Sequence, residues 1–218
     1  MKIVAGGIAV IDGDTHISKW VKDTGRLDHD QWALERILPH IPAGGVVIDG
    51  GAFIGDHTVA YLRAVGPQGR VLAFEPNSAA FECLAHNCPN AECFWAALSY
   101  QSGWKCDLAT DKNAGASHLV ESQTGVICTQ SIDGLSLERL DFLKLDVEGY
   151  EFQALMGGKE TILRCRPTMW IEVNRGALER QGVSEEILLN LVTETLRYSI
   201  EAFPEPGEQY DILCKPLP

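Results

Sequence analysis

The sequence predicts an α/β domain built on a mostly parallel, Rossmann-like sheet with helices on both faces. Three observations predict it. Short aliphatic or β-branched runs alternate with helix-compatible segments between residues 46 and 173, the pattern of βα units around a parallel sheet. A glycine turn, Asp49-Gly50-Gly51-Ala52-Phe53-Ile54-Gly55, follows the first of these runs. The last segments, residues 198–203 and 210–215, flank Pro-Glu-Pro-Gly-Glu-Gln, a connection short enough to join antiparallel strands.

The elements follow in order. Residues 1–27 lack strong periodicity, and 8–11 and 17–21 read as two short strands. Residues 28–40 read as a helix, with Asp28 or Asp30 as cap and Trp32, Leu34, Ile37 and Leu38 as an apolar stripe. Pro39 and Pro42 end it. Val46-Val47-Ile48 has the character of a strand buried on both faces, and a helix at 57–65 follows the glycine turn. A strand at 70–74 leads to a helix at 78–87, capped by Asn77 or Ser78 and stopped by Pro89. A third strand spans 91–98. Residues 99–130, with Gly103, Gly115 and Gly125, break the alternation and read as two or more antiparallel strands. Then come a strand at 141–147, a helix at 150–163, a strand at 168–173 and a helix from Ser184 to about residue 196. Glu185 and Glu186 in its first turn suit the positive end of the helix dipole. The expectation is one domain over 1–218, with 1–42 an N-terminal extension packed on it.

At 218 residues, 45% apolar and 22% charged, the composition is that of one globular domain. A formal charge of −12 disfavours a nucleic-acid binder, which needs a basic stripe, and an anionic membrane surface. No apolar run is long enough to cross a bilayer, and Asp12 and Asp14 come too early for a signal peptide. Seven cysteines occur without any CxxC pair. They are expected to be structural, in a reduced, cytoplasmic setting.

Parallel sheets bind ligands at the carboxyl ends of their strands. Asp49, Glu75 (followed by Pro76), Asp146 with Glu148, and Glu172 each follow an apolar strand. Glu75, about 20 residues beyond the glycine turn, is placed to hold a ribose diol. The turn lacks the G-x-G-x-x-G spacing that seats a pyrophosphate. An acid opening a looser glycine turn suits a ligand with an ammonium-bearing tail and no phosphate, and S-adenosylmethionine matches.

Four stretches, VVIDGGAFIGDHT at 46–58, AFEPN at 73–77, DFLKLDVEGYEFQALMGG at 141–158 and RPTMWIEVN at 166–174, together resemble the FkbM-type S-adenosylmethionine-dependent methyltransferases. SIDGL at 131–135 is similar to a short motif of that family. The resemblance implies a class I methyltransferase sheet of seven strands, the last antiparallel. It also implies that Asp49 and Gly51 hold the methionine part of the cofactor, that Glu75 takes the ribose hydroxyls and that residues near Ala97 and Leu98 cover the adenine. The family usually has asparagine where this chain has Phe53. The candidate cofactor contacts are Asp49, Gly51, Phe53, Gly55, Glu75, Pro76, Ala97, Leu98 and Asp146.

Methyl transfer from a sulfonium to a hydroxyl needs alignment and a base near the methyl group. Asp146 and Glu148 are the first candidates and His57 the third. Lys144 lies within a strand, and Glu172 on the neighbouring strand is its expected partner, in a structural or active-site pair. Asp146, Glu148 and His57 could also form a divalent site, but no metal is expected. Residues 112–118, KNAGASH, are expected either to line an acceptor pocket or to form a solvent loop. The favoured function is O-methylation of a small molecule or saccharide. A nucleotide-dependent oxidoreductase and a non-catalytic S-adenosylmethionine-binding module are the alternatives. The N-terminal 40 residues are a candidate lid or homodimer contact.

Overall fold

The computed structural model describes residues 1–109, 118–122, 124–204 and 209–218. Its centre is a seven-stranded sheet of β3 (Val46–Gly50), β4 (Arg70–Phe74), β5 (Glu92–Phe94), β10 (Phe142–Leu145), β11 (Thr168–Asn174), β12 (Tyr198–Pro204) and β13 (Gln209–Pro216), in the order β12-β13-β11-β10-β3-β4-β5. All neighbouring pairs are parallel except those made by β13, which runs antiparallel to β11 and to β12. Successive strands are joined by α3 (Thr58–Val65), α4 (Ser78–Asn87), α5 (Glu151–Met156), α6 (Lys159–Cys165), α7 (Arg175–Arg180) and α8 (Glu185–Asn190). This is the class I methyltransferase topology.

The sheet is apolar on both faces because its central strands alternate between two cores. Val46, Ile48, Leu72, Phe74, Leu143, Leu145, Ile171 and Val173 pack in one cluster. Val47, Val71, Phe142 and Trp170 pack in another with Tyr61 of α3 and with Leu34 and Ile37 of α2 (Gln31–Ile37). Asp30 caps α2, accepting from the Ala33 N–H at 3.2 Å.

A four-stranded sheet, β6 (Ala96–Leu98), β7 (Lys105–Ala109), β8 (His118–Glu121) and β9 (Ile127–Gln130), occupies the stretch where the alternation breaks. Residues 91–98 were expected as one strand. They split at Trp95, whose indole N–H donates to Pro76 O at 2.8 Å, so that β5 stays in the main sheet and β6 leaves it. The expected helix at 150–163 breaks into α5 and α6 at Gly157 and Gly158. There the backbone of Ser99 and the side chain of Ile132 come so close that added Cβ atoms would sit at 2.1 and 2.9 Å. The helix from Ser184 continues beyond α8 as a π-turn, Leu191–Thr195.

The first 42 residues form β1 (Lys2–Ile3), β2 (Ala9–Val10), α1 (Ile17–Thr24) and α2; α2 packs on the sheet, and β2 and α1 pack against the glycine turn and α4. The strand expected at 17–21 is the helix α1. The Asp14 carboxylate accepts from the Ser18 N–H at 2.7 Å, and Ile17, Trp20 and Val21 recur at helical spacing toward one cluster. That cluster joins Ala9, Val10, Val21 and Leu27 to Ile54, Phe53 and Cys83. The Asn87 amide accepts from Ala9 N at 2.7 Å and donates to Ala9 O and Ile54 O at 2.9 and 2.8 Å. The Asn87 side chain, at the end of α4, thereby ties the extension to the glycine turn. No helix among the described residues is long and apolar enough to cross a membrane. All seven cysteines are free thiols, four of them buried.

Candidate functional site

The site forms where β3, β4, β6, β10 and β11 end. At Gly51 φ is +73°, and a Cβ there would lie 1.7 Å from Asp146 O. Only glycine lets the turn after β3 come this close to the end of β10. Gly51 and Ala52 N–H both donate to Phe74 O, at 3.1 and 3.0 Å. Phe53 follows at φ +47°, in the left-handed region that asparagine adopts far more readily than an aromatic residue. Its ring is held by the cluster of the N-terminal extension. Gly55, at φ +92°, faces α4, and a Cβ there would meet Cys88 Sγ at 2.7 Å.

Glu75 stands beside this turn and is buried. Its Oε2 accepts from Phe53 N–H at 2.8 Å and its Oε1 from Asn77 N–H at 2.7 Å. Desolvation raises the carboxyl to about 7, against the two backbone hydrogen bonds. Each oxygen has a further lone pair for a ligand hydroxyl.

Beneath the turn, Lys144 Nζ donates to Gly51 O at 2.9 Å and lies 3.3 Å from Asp146 Oδ2 and 3.7 Å from Asp49 Oδ1. The expected Lys144–Glu172 pair does not form. The register sets Asp49 and Trp170 opposite Lys144, and Glu172 two residues further along β11. Asp49 is fully buried and accepts from the Thr58 hydroxyl at 2.6 Å. Burial raises its carboxyl and Lys144 pulls it down.

The far wall carries Asp146, Val147, Glu148 and Glu172. Glu148 has a left-handed backbone, φ +54°, and is pushed up to about 8 by burial, then by Asp146 and Glu151. Glu172 is raised well above the carboxylate range by burial, then by Asp146, Glu148, Glu151 and Asp211.

These walls enclose a cavity of about 480 Å³, within the range of small-ligand sites. Among the residues singled out in the sequence, Gly51, Phe53, Glu75, Pro76, Ala97, Leu98, Asp146 and Glu148 line it. Asp49, Gly55, His57 and Lys144 do not. The first and last support the turn from beneath, and Gly55 packs on α4. His57 sits behind the turn, its Nδ1 3.3 Å from Tyr61 OH and its Nε2 4.0 Å from Asp30. Burial holds His57 down at about 3, so it is a neutral imidazole. Among the described residues no group of three His, Cys, Asp or Glu side chains is arranged to hold a metal ion. The stretch 112–118 lies outside the described residues apart from His118.

Sequence reasoning missed the wall supplied by Asp14, His16, Ile17 and His29. The i, i+3, i+4 spacing of Ile17, Trp20 and Val21 was the available signal for a docked helix. Glu172, expected both among the acids at the strand ends and as a partner for Lys144, lines the cavity and does not pair with Lys144.

The fold and site define a methyltransferase-type sheet, with a buried acid, Glu75, after β4 and further acids along its carboxyl edge. The chain belongs to the FkbM methyltransferase domain family, whose model matches residues 49–203. The crystal structure of methyltransferase FkbM from Methylobacillus flagellatus superposes with a TM-score of 0.52 at 17% identity, over 78% of this chain and 44% of that one. The chain thus spans less than half the length of that protein. An S-adenosylmethionine-dependent O-methyltransferase from Thermotoga maritima gives 0.54 at 13% identity, over 90% and 69% of the two chains. Aeropyrum pernix fibrillarin, crystallised with natively bound S-adenosyl-L-methionine, gives 0.50 at 11%, over 87% and 76%. No curated protein matches the sequence significantly.

Proposed function

We propose that the chain is an S-adenosylmethionine-dependent methyltransferase acting on a hydroxyl of a small molecule or saccharide. Glu75 is the observation that carries this reading. It is a buried acid with both oxygens aligned by backbone amides, beside a turn that only glycine can make. Nothing basic lines the cavity among the described residues apart from His16 and His29, which suits a sulfonium nucleoside and not a pyrophosphate.

In this reading Glu75 accepts both ribose hydroxyls, and Gly51 leaves room for the amino-acid tail. Ala97, Leu98 and Pro76 cover the base. The bound cofactor supplies an electrophilic methyl group on a good leaving group. Lys144, as a positioning residue, fixes Asp146 and the Gly51 carbonyl. Glu148 takes the hydroxyl proton. A carboxyl near 8 is a stronger base once ionised than an ordinary carboxylate. The −12 charge supports a small acceptor over a nucleic acid, and seven free thiols fit a reducing, cytoplasmic setting.

Calorimetric titration with S-adenosylmethionine and S-adenosylhomocysteine tests the cofactor, with one saturable site expected. A screen of hydroxylated metabolites with deuteromethyl cofactor tests the reaction. The reading fails if neither nucleoside binds, or if Glu75→Ala binds them as wild type does.

A further inference from the structure

We propose that the acceptor carries an ammonium group, as in an amino sugar or a small amine-bearing polyol, and that Glu172 receives it. The inference rests on the methyl-transfer reading above and narrows its acceptor. Of the buried acids that line the cavity, Glu172 is the one with an oxygen that has no hydrogen-bond donor among the described residues. Asp49 has the Thr58 hydroxyl and the Lys144 ammonium. Glu75 has two backbone amides. Glu151 has the amides of Val147 and Gly149, at 3.0 and 3.2 Å.

Glu172 is 9% exposed and lines the cavity. Its Oε1 accepts from the Gln209 side chain, and its Oε2 has no hydrogen-bond donor among the described residues. The largest charge effects on it, from Asp146, Glu148, Glu151 and Asp211, all come from acids. No lysine or arginine lines the cavity among the described residues. A carboxyl desolvated without a countercharge keeps its proton, and a ligand that brings the missing cation lets it ionise into a paired carboxylate. A neutral hydroxyl would leave the acidic field of this wall unanswered. An acceptor bearing phosphate or carboxylate would meet repulsion.

The test uses three sugars of like size: D-glucosamine, D-glucose and D-glucuronate, carrying an ammonium, a hydroxyl and a carboxylate. Each is titrated into the full chain saturated with S-adenosylhomocysteine, which occupies the site for the cofactor's own ammonium. Glucosamine is expected to bind roughly tenfold or more tighter than glucose, with glucuronate weakest. Glu172→Gln keeps a carbonyl for Gln209 and is expected to erase that preference, with S-adenosylhomocysteine affinity unchanged. Glucosamine binding no better than glucose to wild type overturns the proposal without reference to any variant. A preference that survives in the variant also overturns it. So does a loss of S-adenosylhomocysteine affinity in the variant, which would assign Glu172 to the cofactor. If S-adenosylhomocysteine fails to bind wild type, the methyltransferase reading itself has failed, a result separate from these.

Discussion

Replacing Glu75 by Gln removes one acceptor and one charge where both oxygens are already engaged. Phe53 N–H and Asn77 N–H each donate to a different oxygen. The Gln amide satisfies one of them and turns its NH2 toward the other, a loss of roughly 1–3 kcal/mol. Burial works in the opposite direction. A carboxyl raised from 4.5 to about 7 binds a proton more tightly in the folded chain than in the unfolded one. Folding is therefore favoured most below the unfolded value, and stability falls as pH rises toward 7, by about 3 kcal/mol in all. Gln avoids that cost, so the net change in stability at neutral pH is small. Ligand binding separates the two proteins more sharply. Ribose hydroxyls donate to the ionised carboxylate, so binding below pH 7 releases a proton. Wild-type affinity for S-adenosylmethionine is expected to be flat above about pH 7.5 and to fall toward acid, by roughly thirtyfold at about pH 5.5. Glu75→Gln is expected to bind about a hundredfold more weakly at neutral pH and to lose this component of the pH profile. Glu148 also titrates at the wall, near 8, so the difference between the two proteins at each pH is the quantity to plot. Titration calorimetry across that range gives both numbers. Parallel pH profiles, or a variant within threefold of wild type, would refute the ribose assignment.

Lys144→Met leaves Asp49 and Asp146 without their shared ammonium and is expected to cost roughly 3–5 kcal/mol in urea unfolding at pH 7. Asn87→Ala removes three hydrogen bonds to Ala9 and Ile54. A loss of roughly 2–4 kcal/mol is expected, with faster amide exchange at Ala9 and Val10. Glu148→Gln is expected to lower turnover about a hundredfold and leave cofactor affinity within threefold. The wild-type rate should rise with pH and level off above about 8, where the Glu148 base is ionised, and the variant should lack that rise.

The sheet was legible because strands buried on both faces, such as Val46-Val47-Ile48, announce themselves as unbroken apolar runs. The acids were legible because a carboxylate straight after such a run has to sit at the strand's carboxyl end. Orientation was not. Asp49 and Glu75 both end strands, yet Asp49 turns toward Lys144 and Thr58 beneath the turn, while Glu75 faces the cavity. Lys144 was legible as a strand residue, but its partner depended on register, which alternation alone does not set. The wall formed by Asp14, His16 and His29 was hidden because it arises from long-range docking, fixed by Asn87 and the cluster around Ile54. At Gly157 and Gly158 helix periodicity ran on, and only the close passage of Ser99 and Ile132 stopped it.

That docked wall lies outside the family-defined region, which begins at Asp49. The chamber is therefore composite. Residues 49–203 furnish the floor that would grip a nucleoside, and the preceding residues furnish one side of the entrance. The two parts meet through apolar and aromatic packing, the Asn87 clasp and polar contacts such as His86 with Gly7 O and Arg63 with Asp28. Exchanging the first forty-odd residues between relatives would then be a route to new selectivity with the donor-binding floor kept intact.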